Sequence, residues 1–409
     1  MKYPAGFYWG TATAAHQVEG GNTNSDFWLL EHVDGTAFME VSGDACDHYH
    51  RYPGDLDLLS SLGFNAYRFS IEWARVEPAP GEFSLAQLDH YRRMLAACHE
   101  RGLTAAITLH HFTSPRWIAA RGGWESRETA EAFARYCDRV TNHLGDLIDV
   151  ACTINEINLP VVLHQSGFLH SDESILHAPW RIAAARAMGI EPEGFSSFPF
   201  CVRSRSRETL IAAHRLAVEV LRGGRGKYPV GLTLAMRDMQ ALPGGEELCE
   251  RARYEAEDIY LEAARGDDFI GVQSYTRERF GPQGIVSADG SVPFTQMGYE
   301  FWPEGLEAAI RYANGKLGIP IIVTESGVAT SDDAQRIEFI DRALAGVARC
   351  LDDGIDVRGY FYWSMLDNFE WLFGYGPKFG LFAVDRATQR RIAKPSAQWL
   401  GARARVNGL

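Results

Sequence analysis

Two short stretches carry an acid where a buried strand should end. In "PIIVTESG" (320–327) three β-branched apolar residues and a Thr run into Glu325 and then Gly327, and in "ACTINEIN" (151–158) an apolar run finishes on Asn155 and Glu156. A single Glu after a strand is ordinarily a solvated loop residue or the neighbour of a helix N-cap. Two of them brought to one place can do chemistry. One carboxyl protonates a departing oxygen while the other attacks, or stabilises an oxocarbenium-like centre, which is what cleavage of a glycosidic bond requires. Arg68, His111 and Tyr275 sit within or at the ends of other apolar runs, so the same pocket would receive a fixed cation, an imidazole and a phenol.

For these residues to meet, their strands must end on one side of one sheet. Short apolar runs recur at 7–15, 65–71, 104–111, 150–156, 230–235, 269–275, 320–325 and 358–364, and between them lie helical stretches such as 84–102 and 333–354, each closing on a glycine. Runs that are apolar throughout, and not alternating, are strands buried on both faces, and repeated strand-helix units imply a parallel sheet clothed in helices. Eight units point to an α/β fold, a single (β/α)8 TIM barrel. A doubly wound open sheet is the competing arrangement, but "GTATAAHQVEGG" after the first run is not the GxGxxG that such a sheet usually carries. No linker, repeat or low-complexity tract divides the chain, so residues 1–409 read as one domain. The longest interval between strands, including 177–210, reads as an irregular excursion before a helix around 208–222, and long loops of this kind shape the mouth of a barrel site. Barrel sites form at the C-terminal strand ends, where Glu156 and Glu325 would both lie.

Composition removes other classes. Hydrophobic residues make up 46% and charged residues 23%, enough apolar surface for a core and too little charge for a disordered chain. The net charge of −13 disfavours nucleic acid and anionic membranes as partners. Seven widely spread cysteines, with no CxxC pair or zinc-like spacing, fit a reduced cytoplasmic protein. No signal peptide is evident at the N-terminus, and no segment is long and apolar enough to span a membrane. The cluster "DACDHYHRY" (44–52) matches no standard metal spacing, so no metal and no cofactor is expected. "RSRSR" (203–207) reads as a solvated loop or helix start. A homo-oligomer is compatible with the sequence.

The chain resembles the family 1 glycoside hydrolases, the β-glucosidase family, along nearly its whole length. "ATAAHQVEG" (12–20), "ACDHYHRY" (45–52), "AYRFSIEWARVEP" (66–78), "TLHHF" (108–112), "TINE" (153–156), "TQMGYEFWPEGL" (295–306), "VTESG" (323–327) and "RGYFYWSMLDNFEWLFGYGPKFGL" (358–381) occur in that family's order. The resemblance implies Glu156 as general acid/base and Glu325 as nucleophile of a retaining reaction, with carboxyls about 5–5.5 Å apart. It places Arg68 and Tyr275 against Glu325, Asn155 on the sugar 2-hydroxyl, and Gln17, His111, Glu370 and Trp371 on the remaining hydroxyls, with Trp363 as the floor under the sugar. A carboxylate at Glu370 would also repel a sugar 6-phosphate. The expected ligand is therefore a small, non-phosphorylated β-glycoside, most simply a β-glucoside, with β-fucosides or β-galactosides as related substrates.

Several positions depart from that family's pattern. Ile157 stands where Pro is usual, Gln273-Ser274-Tyr275 where Asn-Tyr-Tyr is usual, Thr113 replaces an Asp, and Ser326 replaces an Asn. Ile157 frees a backbone N–H and relaxes the constraint on Glu156. The rival expectation is a barrel that binds glycosides with little or no turnover.

Overall fold

Each of the eight apolar runs becomes a barrel strand in the computed structural model, which describes residues 2–169, 171–288 and 290–408. The strands are β1 (Tyr8–Ala12), β2 (Ala66–Ser70), β3 (Thr104–His110), β4 (Val150–Ile154), β5 (Val230–Ala235), β6 (Phe269–Gln273), β7 (Ile321–Ser326) and β8 (Val357–Trp363). They pair in parallel in sequential order, and β8 returns to β1 to close the barrel. Between and after them run α1 (His48–Leu62), α2 (Leu85–Glu100), α3 (Glu128–Leu144) and α4 (Arg203–Gly223). The second half continues with α5 (Glu246–Arg253, a π-helical Tyr254–Asp258, then Ile259–Ala263), α6 (Gly305–Leu317), α7 (Asp333–Asp352) and α8 (Pro395–Val406). Among the described residues no helix is long and apolar enough to cross a membrane.

The helix boundaries follow from their end residues. Ser84 accepts from the Gln87 N–H at the start of α2, and Asp332 accepts from the Ala334 and Gln335 N–H groups at the start of α7, so orphan donors of the first turn are satisfied. Two apolar layers result. The larger lies between strands and helices. The smaller takes Ala12, Ala66, Ala106, Val150, Cys152, Phe269, Ile322, Phe361 and Trp363 from the strands and fills the barrel itself.

The interval after β4 is more helical than irregular. Leu159–Gln165, Asp172–Leu176 and Pro179–Met188 are helices, and α4 begins at Arg203, so "RSRSR" is its first turn. The signal lay in "PWRIAAARAMG": Pro179 starts the helix, alanines extend it, and Gly189 ends it at a left-handed φ of 69°. The residues of "DACDHYHRY" hold framework. His48 Nδ1 pairs with Asp55 at 2.7 Å, Arg391 donates to the same carboxylate, and Asp47 accepts from His50 and Arg51.

Candidate active site

The strand ends converge because their registers agree. Ala12 lies opposite both Arg68 and Trp363, and Ala235 lies opposite Gln273. β7 needs a correction to join them. Ile322 faces the barrel interior, so strict alternation would send Thr324 inward and Glu325 out. The pairing of β7 with β6 shifts between Val323 and Glu325, and the shift sets Glu325 opposite Gln273. The glycine that follows is needed for space: a Cβ on Gly327 would run into the Trp363 carbonyl. Glu156 lies just beyond β4, in the left-handed region at φ 43°, and its N–H donates to Thr233 Oγ1 at 3.1 Å.

Glu325 is buried and held from three sides. Its Oε1 accepts from Arg68 Nη1 at 2.6 Å and from Gln273 Nε2 at 2.9 Å, and its Oε2 accepts from the Tyr275 hydroxyl at 2.6 Å. Arg68 Nη2 and Gln273 Nε2 also donate to Asn155 Oδ1, at 2.6 and 2.8 Å. With its oxygen so occupied, Asn155 keeps a buried Nδ2 without a partner among the described residues. The Glu156 carboxyl makes no hydrogen bond to the described residues.

Electrostatics separates the two acids. Burial raises the Glu156 carboxyl far above the usual range, and the charge of Glu325 adds to it. Burial also raises Glu325, but the Arg68 charge and the Tyr275 and Arg68 hydrogen bonds pull it back. A proton shared by the pair therefore resides on Glu156. Glu370 is pushed up to about 8, by burial first and then by Glu325, against hydrogen bonds from Gln17, Trp363 and Asn368. At neutral pH it is mostly a neutral acid. Burial, followed by the Arg68 charge, keeps the His111 imidazole uncharged.

The remaining expected residues gather at the same place. Gln17 Nε2 donates to the Phe369 carbonyl at 2.7 Å and to Glu370 Oε2 at 3.3 Å, leaving its Oε1 buried and, like His111 Nδ1, without a partner among the described residues. The His111 ring stacks 5.6 Å from Trp363 and 6.0 Å from Trp371. A cavity of about 810 Å³ opens from these groups, lined among others by His111, Glu156, Gln273, Tyr275, Glu325, Trp363, Glu370 and Trp371. Phe112, Glu156 and Trp371, three of the seven non-glycine residues with positive φ among those described, line it. Strain of this kind persists where surrounding structure over-determines it.

All ten expected residues thus lie at one end of the barrel. The expectation missed Gln273, which was seen only as a departure from the usual Asn. Its signal was available: positions 269, 271 and 273 share one face of β6, the face that Phe269 turns into the barrel. Two other departures point away from the cavity. Thr113 Oγ1 donates to Glu72 Oε2 at 2.7 Å, and the N–H freed at Ile157 donates to the Thr233 carbonyl at 3.3 Å.

A buried carboxyl pair at the C-terminal end of a parallel barrel restricts the families to be considered, and sequence comparison decides among them. Residues 1–236 and 226–409 match the profile of Glycosyl hydrolase family 1. The chain belongs to glycosyl hydrolase family 1. Family membership makes it a hydrolase of glycosidic bonds. A thermostable beta-glucosidase B from Thermobispora bispora is 32% identical, the match covering 100% of this chain and 92% of that protein. A bifunctional beta-D-glucosidase/beta-D-fucosidase from Bifidobacterium breve is also 32% identical, over 98% of this chain and 97% of the relative. Among solved structures, beta-glycosidase BGL167 is 53% identical with a TM-score of 0.96, over 100% of this chain and 98% of the other. The Thermotoga maritima beta-glucosidase in complex with glucoimidazole is 28% identical with a TM-score of 0.84, over 100% of both chains.

Proposed function

We propose that residues 1–409 act as one catalytic domain that hydrolyses non-phosphorylated β-glucosides, and related β-fucosides and β-galactosides, by double displacement with retention. The observation that carries this reading is the unequal setting of the two acids: Glu325 accepts from three donors, whereas the Glu156 carboxyl accepts from none of the described residues and is raised by burial and by the charge of Glu325. Glu325 attacks the anomeric carbon as the bond to the aglycone oxygen breaks, and that oxygen takes the Glu156 proton. Glu325 is then an uncharged ester. The charge that helped raise Glu156 is gone, so its pKa falls and it accepts a proton from the incoming water. The water oxygen bonds to the anomeric carbon, and the ester cleaves to return Glu325.

The glycone is held by the atoms the protein leaves unpaired. Asn155 Nδ2 serves the 2-hydroxyl, His111 Nδ1 and Gln17 Oε1 serve others, Glu370 and Trp371 complete the set, and Trp363 forms the floor. The glucosidase/fucosidase activity named for the B. breve relative supports tolerance at the sugar. A binding protein without turnover has no observation in its favour. Seven free, buried cysteines support a cytoplasmic location.

The test is NMR of the anomer first released from an aryl β-glucoside, together with turnover by Glu325→Gln. β-Glucose first and collapse of the variant are expected. α-Glucose first, or near-wild-type turnover in the variant, would overturn the proposal.

A further inference from the structure

The cavity changes character along its length. Unpartnered buried polar atoms of Gln17, His111, Asn155 and Gln273 lie at the end that holds the two acids. Beyond Glu156 the walls turn apolar, with Val162, Phe168, Phe200, Phe294, Met297 and Phe373 among the lining residues. Of the twelve large apolar or aromatic side chains left exposed among the described residues, five line this one cavity: Phe168, Ile285, Val286, Phe294 and Tyr299. Phe168 and Phe373 approach each other at 6.4 Å between ring centroids. Exposed apolar side chains gathered around one cavity mark a ligand groove.

The charges of the outer walls are spent on one another. Arg237 and Glu278 pair at 2.6 Å, Arg277 and Glu300 at 2.7 Å, and the Arg277 guanidinium also lies 3.9 Å over the Trp302 ring. Recognition of a second sugar needs free donors and acceptors, whereas an apolar group needs area to cover. The volume of about 810 Å³ is in the range that encloses a drug-sized molecule, well beyond one hexose ring.

We propose that the leaving-group side of this cavity selects β-glycosides whose aglycone is a bulky aromatic or polycyclic apolar group over those whose aglycone is a second sugar, with Phe168 and Phe294 as specificity-determining residues. The inference rests on the glycosidase reading above, because the aglycone must lie outward of Glu156 for its oxygen to take the proton.

The test compares kcat/KM for 2-(2-naphthyl)ethyl β-glucoside, ethyl β-glucoside and cellobiose, whose leaving groups are all unactivated alcohols, so that binding and not leaving-group acidity separates them. The naphthylethyl substrate should lead both others by about tenfold or more, the scale expected for covering an aromatic ring with apolar walls. Phe168→Ser with Phe294→Ser should lower the naphthylethyl substrate about tenfold more than the ethyl one. Cellobiose equal to or better than the naphthylethyl substrate, or equal losses on all three in the variant, overturns the inference while leaving the glycosidase reading intact. Failure to turn over even an aryl β-glucoside overturns both.

Discussion

Replacing Gln273 by Ala removes one nitrogen that serves two acceptors, Glu325 Oε1 at 2.9 Å and Asn155 Oδ1 at 2.8 Å. A hydrogen bond to a charged group is worth about 1.5–3 kcal/mol net. Arg68 and Tyr275 still hold Glu325 in the variant, which puts the loss at the low end, about 1.5 kcal/mol. The bond favours the ionised form, so losing it raises the pKa of Glu325, and 1.5 kcal/mol corresponds to about one unit. The nucleophile must be ionised to attack. The acid limb of the kcat/KM profile on an aryl β-glucoside should therefore move up by about one pH unit, with an additional fall in kcat as the Asn155 oxygen loses one of its donors and keeps Arg68 and the more distant Thr233 hydroxyl. Gln273→Glu replaces the donor by a third carboxyl against Glu325 and should cost about 10²-fold or more. Gln273→Asn, one methylene shorter, should fall between wild type and Ala. Thermal unfolding run in parallel separates positioning from packing. An Ala variant with a lowered Tm and an unmoved acid limb, or a Glu variant as active as wild type, would refute the role assigned to Gln273.

Glu156→Ala should keep glycosylation fast for dinitrophenyl β-glucoside and lose about 10²–10⁴-fold on alkyl glucosides, with azide restoring turnover of the activated substrate and yielding β-glucosyl azide; equal losses on both substrates, or an α-azide, would remove Glu156 from the acid/base role. Glu370 has a folded pKa of about 8, above the ordinary 4.5, so the folded state holds a proton that the unfolded chain releases, and this contribution to stability is lost as pH rises from about 4.5 through 8. Glu370→Gln should flatten that decline by about 1.4 kcal/mol per pH unit in urea unfolding; parallel wild-type and variant curves would contradict it. A 6-phosphoglucoside should be turned over about 10²-fold or more slowly than the glucoside, because the partners of Glu370 are Gln17, Trp363 and Asn368 and none is a cation, and the gap should widen above pH 8 as Glu370 ionises; comparable kcat/KM on the two would refute it.

Much of the site was legible because it is carried by local pattern. Apolar runs bounded by turn residues marked all eight strands, and the acids at 156 and 325 stood out because a buried run should not end on a charge. The departures were harder, since a side chain's partner lies on another element. Thr113 stood out only as a replacement for Asp, and its role, donating to Glu72 on the loop after β2, lies on another element. The freed N–H of Ile157 looked like a loosening of Glu156, yet it is satisfied by β5. Glu370 looked like a fixed anion, and only its burial shows that it holds its proton to about pH 8.

The sequence by itself determined the eight strand-helix units and therefore the barrel, because the periodicity and capping that define each unit are properties of neighbouring residues. It also determined which residues stand at the strand ends. Only the tertiary structure decided that Glu325 turns inward, since alternation along β7 points Thr324 to the interior and a register shift against β6 is needed to bring Glu325 opposite Gln273. It decided too that the shared proton sits on Glu156. That choice depends on how deeply each carboxyl is buried and on which of them Arg68 and Tyr275 can reach across the barrel, and neither is a property of the chain until the barrel closes.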